Sequence, residues 1–182
     1  MTIEALAIAP DPTEFAPYYG KYTSLVKSDN IVKTLETQAE HTKALFRVLG
    51  EQQGDFRYAP DKWSVRQMLG HVIDSERIFS YRALRIARGD KTPIEGFEQD
   101  GYVSNAPFER STLAELLEEF AVVRRATVLL FRNLSAEAWT RRGIASDNEV
   151  SVRALAYIIA GHELHHNGVL NQRYLPALKA SR

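Results

Sequence analysis

Four stretches of this chain carry apolar residues at three- and four-residue steps, and each opens on a side chain suited to cap a helix. In the first, Ile31, Leu35, Thr42, Leu45, Phe46 and Leu49 recur behind Asp29 or Asn30, either of which can be the cap. The second opens on Ser64-Val65-Arg66-Gln67, a capping-box pattern. Val65, Met68, Leu69, Val72, Phe79, Ala83 and Ile86 then mark one face until Gly89 supplies a stop. Thr112 to Glu115 repeats the box ahead of Leu113, Leu116, Leu117, Phe120, Val123, Leu130 and Phe131, which end near Asn133. Ser151 caps the last, with Val152, Leu155, Ala156, Ile159 and Leu170 on its apolar side and Pro176 expected to prevent continuation. No segment alternates as a strand does. Helices of about twenty residues, each with one apolar face, are satisfied by an all-α, up-and-down four-helix bundle.

With 182 residues, 45% hydrophobic and 25% charged, the chain is sized for one domain over 1–182, with 1–12 read as an N-terminal tail. Twenty-three basic residues balance twenty-three acidic ones, so no global field holds a polyanion, and nucleic acid is not expected as a partner. The absence of cysteine removes disulfides, thiolate ligands and a thiol nucleophile, and fits a reducing cytoplasm. No apolar run is long enough to cross a bilayer, and the N-terminus lacks the basic start of a signal peptide, so a cytoplasmic protein without a membrane partner is expected. The longest connection, RGDKTPIEGFEQDGYVSNAPFER, is of the length and composition that often carries function. The shorter SAEAWTRRG reads as a helical turn begun by Ser135 and anchored by Trp139.

Three histidines fall within five positions of the last helix, in GHELHHNGVL. At about 100° per residue His166 sits on the centre of that helix's apolar face, His162 about 40° from it, and His165 about 100° away, at the flank. The spacing of His162 and His166 stacks two imidazoles one turn apart, which is half of a metal site. A third ligand must come from another helix. His41 and His71 lie about 80° and 105° from the apolar centres of their own helices, so the wheel does not choose between them.

Glu76 and Glu163 both project toward apolar centres, where carboxylates are found only when paired. Arg66, Arg77, Arg153 and Arg173 are the candidate partners. The alternative makes Glu163 a catalytic group, accepting a proton or steadying the ligands from behind. Asp74 is expected in solvent. Arg82, Arg85 and Arg88 form a cationic run that complements a helix C-terminus. A second role for one of them is to bind a substrate carboxylate beneath the loop from Phe97 to Tyr102.

The stretches KWSVRQMLGHVIDSERIFSYRALRIARGD, FEQDGYV and SVRALAYIIAGHELHHNGVLNQRYL together resemble the DinB/YfiT-like superfamily of bacterial four-helix metalloproteins, over about Tyr18 to Leu175. The resemblance implies a three-histidine metal site formed by His71, His162 and His166. Three neutral ligands leave an ion open to water or substrate, and imidazole suits zinc or nickel first, with iron or manganese as further choices. Members of that superfamily include enzymes that use low-molecular-weight thiols. The resemblance therefore implies a transferase or hydrolase acting on a small-molecule substrate, with such a thiol as partner. A bundle of this size is also expected to pair into a homodimer through an exposed apolar face. The other reading is a non-catalytic, metal-binding or dimerising bundle of the bacterial stress response.

Overall fold

The computed structural model describes residues 8–28 and 30–180. Four long helices dominate it, α2 (Ile31–Leu49), α3 (Val65–Ala87), α5 (Leu113–Arg132) and α7 (Val152–Val169). Shorter ones are α1 (Gly20–Thr23), α4 (Gln99–Asn105), α6 (Ala136–Thr140) and α8 (Leu175–Ala180). Each long helix starts where its cap directs. Asn30 accepts from the Lys33 amide, and Ser64 and Thr112 form complete capping boxes with Gln67 and Glu115. Ser151 accepts from the Ala154 amide, while Asp29 lies outside the described residues. Gly89, at φ 80°, takes the left-handed conformation just beyond the end of α3. Of the stretch read as a tail, 1–7 lie outside the described residues, whereas Asp11 caps a 3₁₀ turn at Pro12–Glu14.

The bundle expected from periodicity is present, with α3 and α2 each packed against both α5 and α7. Its path departs from simple alternation. One apolar cluster joins Ile31, Leu35, Phe79, Ala83, Val128, Phe131 and the start of α7; the other joins Phe46, Val65, Leu69, Leu116, Phe120 and Leu170. Thus α2 and α7 run one way, and α3 and α5 the other. The 88–112 connection makes this possible by returning along α3 instead of turning at its end. Ile94 pairs with Ala145, Phe108 lies against Gly70, and the Leu113 amide donates to Glu51 beyond the far end of α2. Between the two apolar clusters lies a buried polar band that includes Gln38, Thr42, His71, Glu76, Arg124 and Glu163.

Two features correct the sequence reading. A hairpin of β1 (Arg142–Ala145) and β2 (Asn148–Ser151) precedes α7, with Arg142 opposite Ser151 and Ala145 opposite Asn148. Ser146 and Asp147 both have positive φ, 51° and 61°, the tight turn that matches strand twist. Four residues per strand are too few to show alternation, and Ser-Asp is a weak version of the usual Asn-Gly signal. Nor does Pro176 end the last helix. A π-type turn at Leu170–Tyr174 resets the hydrogen-bond pattern, so that Pro176 falls in the first turn of α8, where its missing N–H costs little.

Gly161 fixes the seat of α1. A Cβ there would lie 2.1 Å from the Tyr22 carbonyl oxygen, a backbone atom that cannot step aside without moving α1. Gly161→Ala is expected to destabilise the protein by about 1–3 kcal/mol. Gly168→Ala, on the same helix with nothing within 4 Å of the new methyl, should be neutral or stabilising by about 0.5–1 kcal/mol. Urea unfolding of both variants checks the pair; equal midpoints would refute the close approach.

Candidate metal centre

The capping box at Ser64 sets the phase of α3, and two turns later that phase turns His71 inward, where it is 3% exposed. On α7 the four-residue step stacks His162, which is buried, beneath the half-buried His166. Because α3 and α7 are antiparallel neighbours, the three rings meet. The Nε2 atoms of His71 and His162 are 3.0 Å apart, and those of His162 and His166 3.2 Å. One nitrogen from each ring lies within 4.8 Å of the others. An ion bonded at about 2.1 Å to each of two nitrogens would hold them about 3.0 Å apart at a right angle and about 3.4 Å apart at a tetrahedral one, so the donor set fits a shared divalent cation.

Burial decides the charge of these rings. It lowers the His71 pKa from 6.5 to about 4, with the neighbouring His165 adding to the effect. Burial, and then the other histidines, hold His162 and His166 well below the ordinary value. All three are neutral near pH 7, as ligands must be. Ser75 Oγ lies 3.5 Å from His71 Nδ1, the side away from the cluster, at the outer limit for a bond that would leave Nε2 free to ligate. Trp63 packs on His71 with centroids 4.6 Å apart and stacks on His166 at 6.4 Å, while the Tyr22 ring meets His162 edge-on at 5.2 Å.

A cavity of about 330 Å³ opens on His71 and His162, walled by Tyr19, Tyr22, Phe79 and Phe97. A second, of about 260 Å³, reaches His166 from the other side past Trp63 and Lys62. The 88–112 connection contributes Glu98 and Gln99 to the first and Asp100 to the second, so it lies over the histidines. Phe97 belongs to the loop expected to cover a substrate, whereas Tyr19, Tyr22 and Phe79 carry no spacing signal that marks them as site residues.

The remaining candidates fall elsewhere. His41 is exposed on α2, and His165 sits at the flank, half-buried, its ring 5.4 Å from Tyr22. Glu76 and Glu163 are ion-paired, but to none of the four arginines considered. Arg66 holds Glu51 and Asp55, Arg77 holds Glu119 and Asp74, Arg153 holds Glu14, and Arg173 is exposed. The partner is Arg124, whose position four residues after Phe120 and four before Val128 places it on the apolar stripe of α5. Its Nε and Nη2 grip the two Glu76 oxygens at 2.8 Å, Nη2 reaches Glu163 at 2.6 Å, and Nη1 donates to the Leu35 carbonyl at 2.9 Å. Glu163 also accepts from Gln38 at 2.6 Å and from Thr42. Its oxygens are occupied on the side of α7 facing α2 and α5, and none of these partners is a histidine. Asp74 is half-buried and 3.5 Å from Arg77 instead of free in solvent, and burial raises its pKa.

A fold of this path with paired helix-borne histidines defines a class, and comparison with known proteins supplies it. The family model for the DinB superfamily matches residues 34–170, and the chain belongs to that superfamily. Two curated relatives carry the provisional name of metal-dependent hydrolase. One, from Bacillus pumilus, is 28% identical over 127 residues, 68% of this chain and 71% of its own. The other, from Oceanobacillus iheyensis, is 26% identical over 141 residues, 74% and 78%. Among solved structures, YfiT from Bacillus subtilis, described as a probable metal-dependent hydrolase with an unusual four-helix bundle topology, superposes with a TM-score of 0.68 at 17% identity, covering 75% of this chain and 79% of that one. The DinB-like YjoA of the same organism gives 0.57 at 20% identity, covering 84% and 92%. At such identities these structures speak for the fold.

Two outcomes test the electrostatics. Arg124→Met leaves two buried carboxylates without their cation and is expected to cost about 3–5 kcal/mol in equilibrium unfolding. In metal-free protein the histidines bind fewer protons folded than unfolded. Stability is therefore complete above 6.5, the ordinary histidine value, and falls as pH drops toward about 4. Urea midpoints measured across that window check the sign.

Proposed function

We propose that this protein is a metal-dependent enzyme in which His71, His162 and His166 hold one divalent transition metal, zinc or nickel before iron or manganese, and act on a small-molecule substrate. One observation carries the reading: three imidazole nitrogens converge, with His71 and His162 at the foot of a cavity of about 330 Å³ and His166 reached from one of about 260 Å³. Two of the rings are buried and one half-buried, all are neutral, and among the described residues no carboxylate joins the cluster. When bound, the ion supplies Lewis acidity and lowers the pKa of a small acid that reaches it.

The chain's own groups do the rest. Tyr22, Phe79 and Phe97 exclude bulk water from the cavity, Trp63 holds the planes of His71 and His166, and Glu98 and Gln99 narrow the mouth. Glu163, engaged by Arg124, Gln38 and Thr42, keeps the phase of α7 and so aims His162 and His166. The names of the curated relatives favour hydrolysis. Transfer involving a low-molecular-weight thiol is the second form of the reaction, and it suits a chain that has no cysteine of its own.

Metal analysis of the purified protein is expected to give about one transition ion per chain. His71→Ala, His162→Ala and His166→Ala should each lose it with helicity by circular dichroism retained, and a chelator should lower the thermal midpoint of the parent protein alone. Unchanged metal in His71→Ala would move the third ligand elsewhere. A panel of esters and amides, run with and without added thiols, then separates hydrolysis from transfer.

A further inference from the structure

Arg82 is a buried cation without a buried anion. It is 2% exposed, and among the described residues no carboxylate pairs with it. Its Nη2 donates to the Glu95 carbonyl at 2.9 Å and to Ser146 Oγ at 3.0 Å, and the Tyr19 hydroxyl also lies within the guanidinium's reach; all three groups are neutral, and its Nε has no partner. The other two buried arginines are compensated, Arg124 by Glu76 and Glu163 and Arg66 by Glu51 and Asp55. A guanidinium stays charged in any protein environment, and charges removed from water are normally paired.

Its position gives that charge a use. His71, Ser75, Phe79 and Arg82, at steps of four, four and three, lie along one stripe of α3. The first three line the cavity at the histidines, and Arg82 lines a neighbouring cavity of about 420 Å³ beneath the 93–97 segment. Phe97 lines both. The guanidinium carbon lies 5.8 Å from the Phe79 ring centre and 5.9 Å from that of Phe97, so two of the aromatic rings that wall the first cavity also flank the cation. Arg85 shares the second cavity, but Asp90 takes its charge at 2.6 Å. Glu95 turns its carbonyl, not its carboxylate, to Arg82.

We propose that Arg82 is the oxyanion-binding residue of the substrate site. The substrate class is then a small molecule with an apolar or aromatic body that fills the Tyr19–Phe79–Phe97 cavity and carries a carboxylate or phosphate at the end remote from the histidines. The two ends of that site are about 16 Å apart along α3, eleven residues at helical rise. The direction of the substrate rests on the metal-site reading; the oxyanion preference does not.

Calorimetric titration with 3-phenylpropionate, 2-phenylethyl phosphate and neutral 3-phenylpropanol, on metal-loaded and chelator-treated protein, tests the proposal. The parent protein should bind at least one of the anions tenfold or more tightly than the alcohol in both states, and whichever anion is preferred identifies the source of the oxyanion. Arg82→Gln should abolish the preference with metal content unchanged, and Arg82→Lys should keep part of it. If Arg82→Gln does not fold, the parent and Arg82→Lys titrations decide. No preference in the parent protein, or a preference surviving in Arg82→Gln, overturns the assignment and leaves Arg82 as a clip between loop and hairpin, visible only as a lower unfolding midpoint. An oxyanion preference in a protein that takes up no zinc or nickel even when these ions are supplied would instead sink the metal reading and leave this one standing.

Discussion

One guanidinium touches all four long helices. Arg124, on α5, binds Glu76 on α3, Glu163 on α7 and the Leu35 carbonyl on α2. A buried ion pair of this kind gives little net stability over an apolar core, because desolvating three charges offsets their attraction. What it gives is position. An apolar helix face tolerates small rotations, whereas a two-pronged guanidinium–carboxylate bond fixes angle as well as distance. Because Glu163 neighbours His162 and Glu76 lies five residues from His71, the rotation that satisfies Arg124 also sets the angle at which the histidines meet.

The network is well supplied but not symmetric. Two carboxylates share one cation, and burial, opposed chiefly by Arg124, leaves the Glu163 pKa above its ordinary value. Thr42 donates to the second Glu163 oxygen and itself accepts from Asn167 at 2.7 Å, so the band extends along α7 for one further turn. Polar groups buried this way are costly unless satisfied, which makes a shifted helix register expensive. A bundle whose middle layer were leucine would be free to slide, and a site that needs nitrogens about 3 Å apart could not depend on it.

Legibility in the sequence followed the range of the interactions. The four long helices were readable because caps and apolar periodicity act within a few residues: Ser64, Thr112 and Ser151 each bind an amide three positions on. His162 and His166 were readable for the same reason. His71 was not, since the wheel gave it no advantage over His41, and only the resemblance named it. The shared direction of α3 and α5 and the Arg124 tie depend on contacts distant in sequence, whereas the hairpin is local but its four-residue strands and Ser-Asp turn leave too weak a signal. Arg124 did leave a local trace, a charge on an apolar stripe, of the same kind as the trace left by Glu76 and Glu163. Three such misplaced charges on three helices were a signal to pair them with one another.

The same reasoning separates the two arginines that matter here. Arg124 and Arg82 are equally buried, at 2% exposure each, yet among the described residues one has two carboxylates and the other none. A charge that the chain neutralises serves the fold, since its partners are present whenever the fold is. One that the chain leaves uncompensated beside a cavity keeps an electrostatic opportunity that only something from outside can complete. The long connection bears on both ends of this arrangement. By returning along α3 it brings Glu98 and Gln99 to the histidines and the Glu95 carbonyl to Arg82, so the path that breaks the simple alternation of helices is also the one that builds a continuous wall from the histidines to the buried cation.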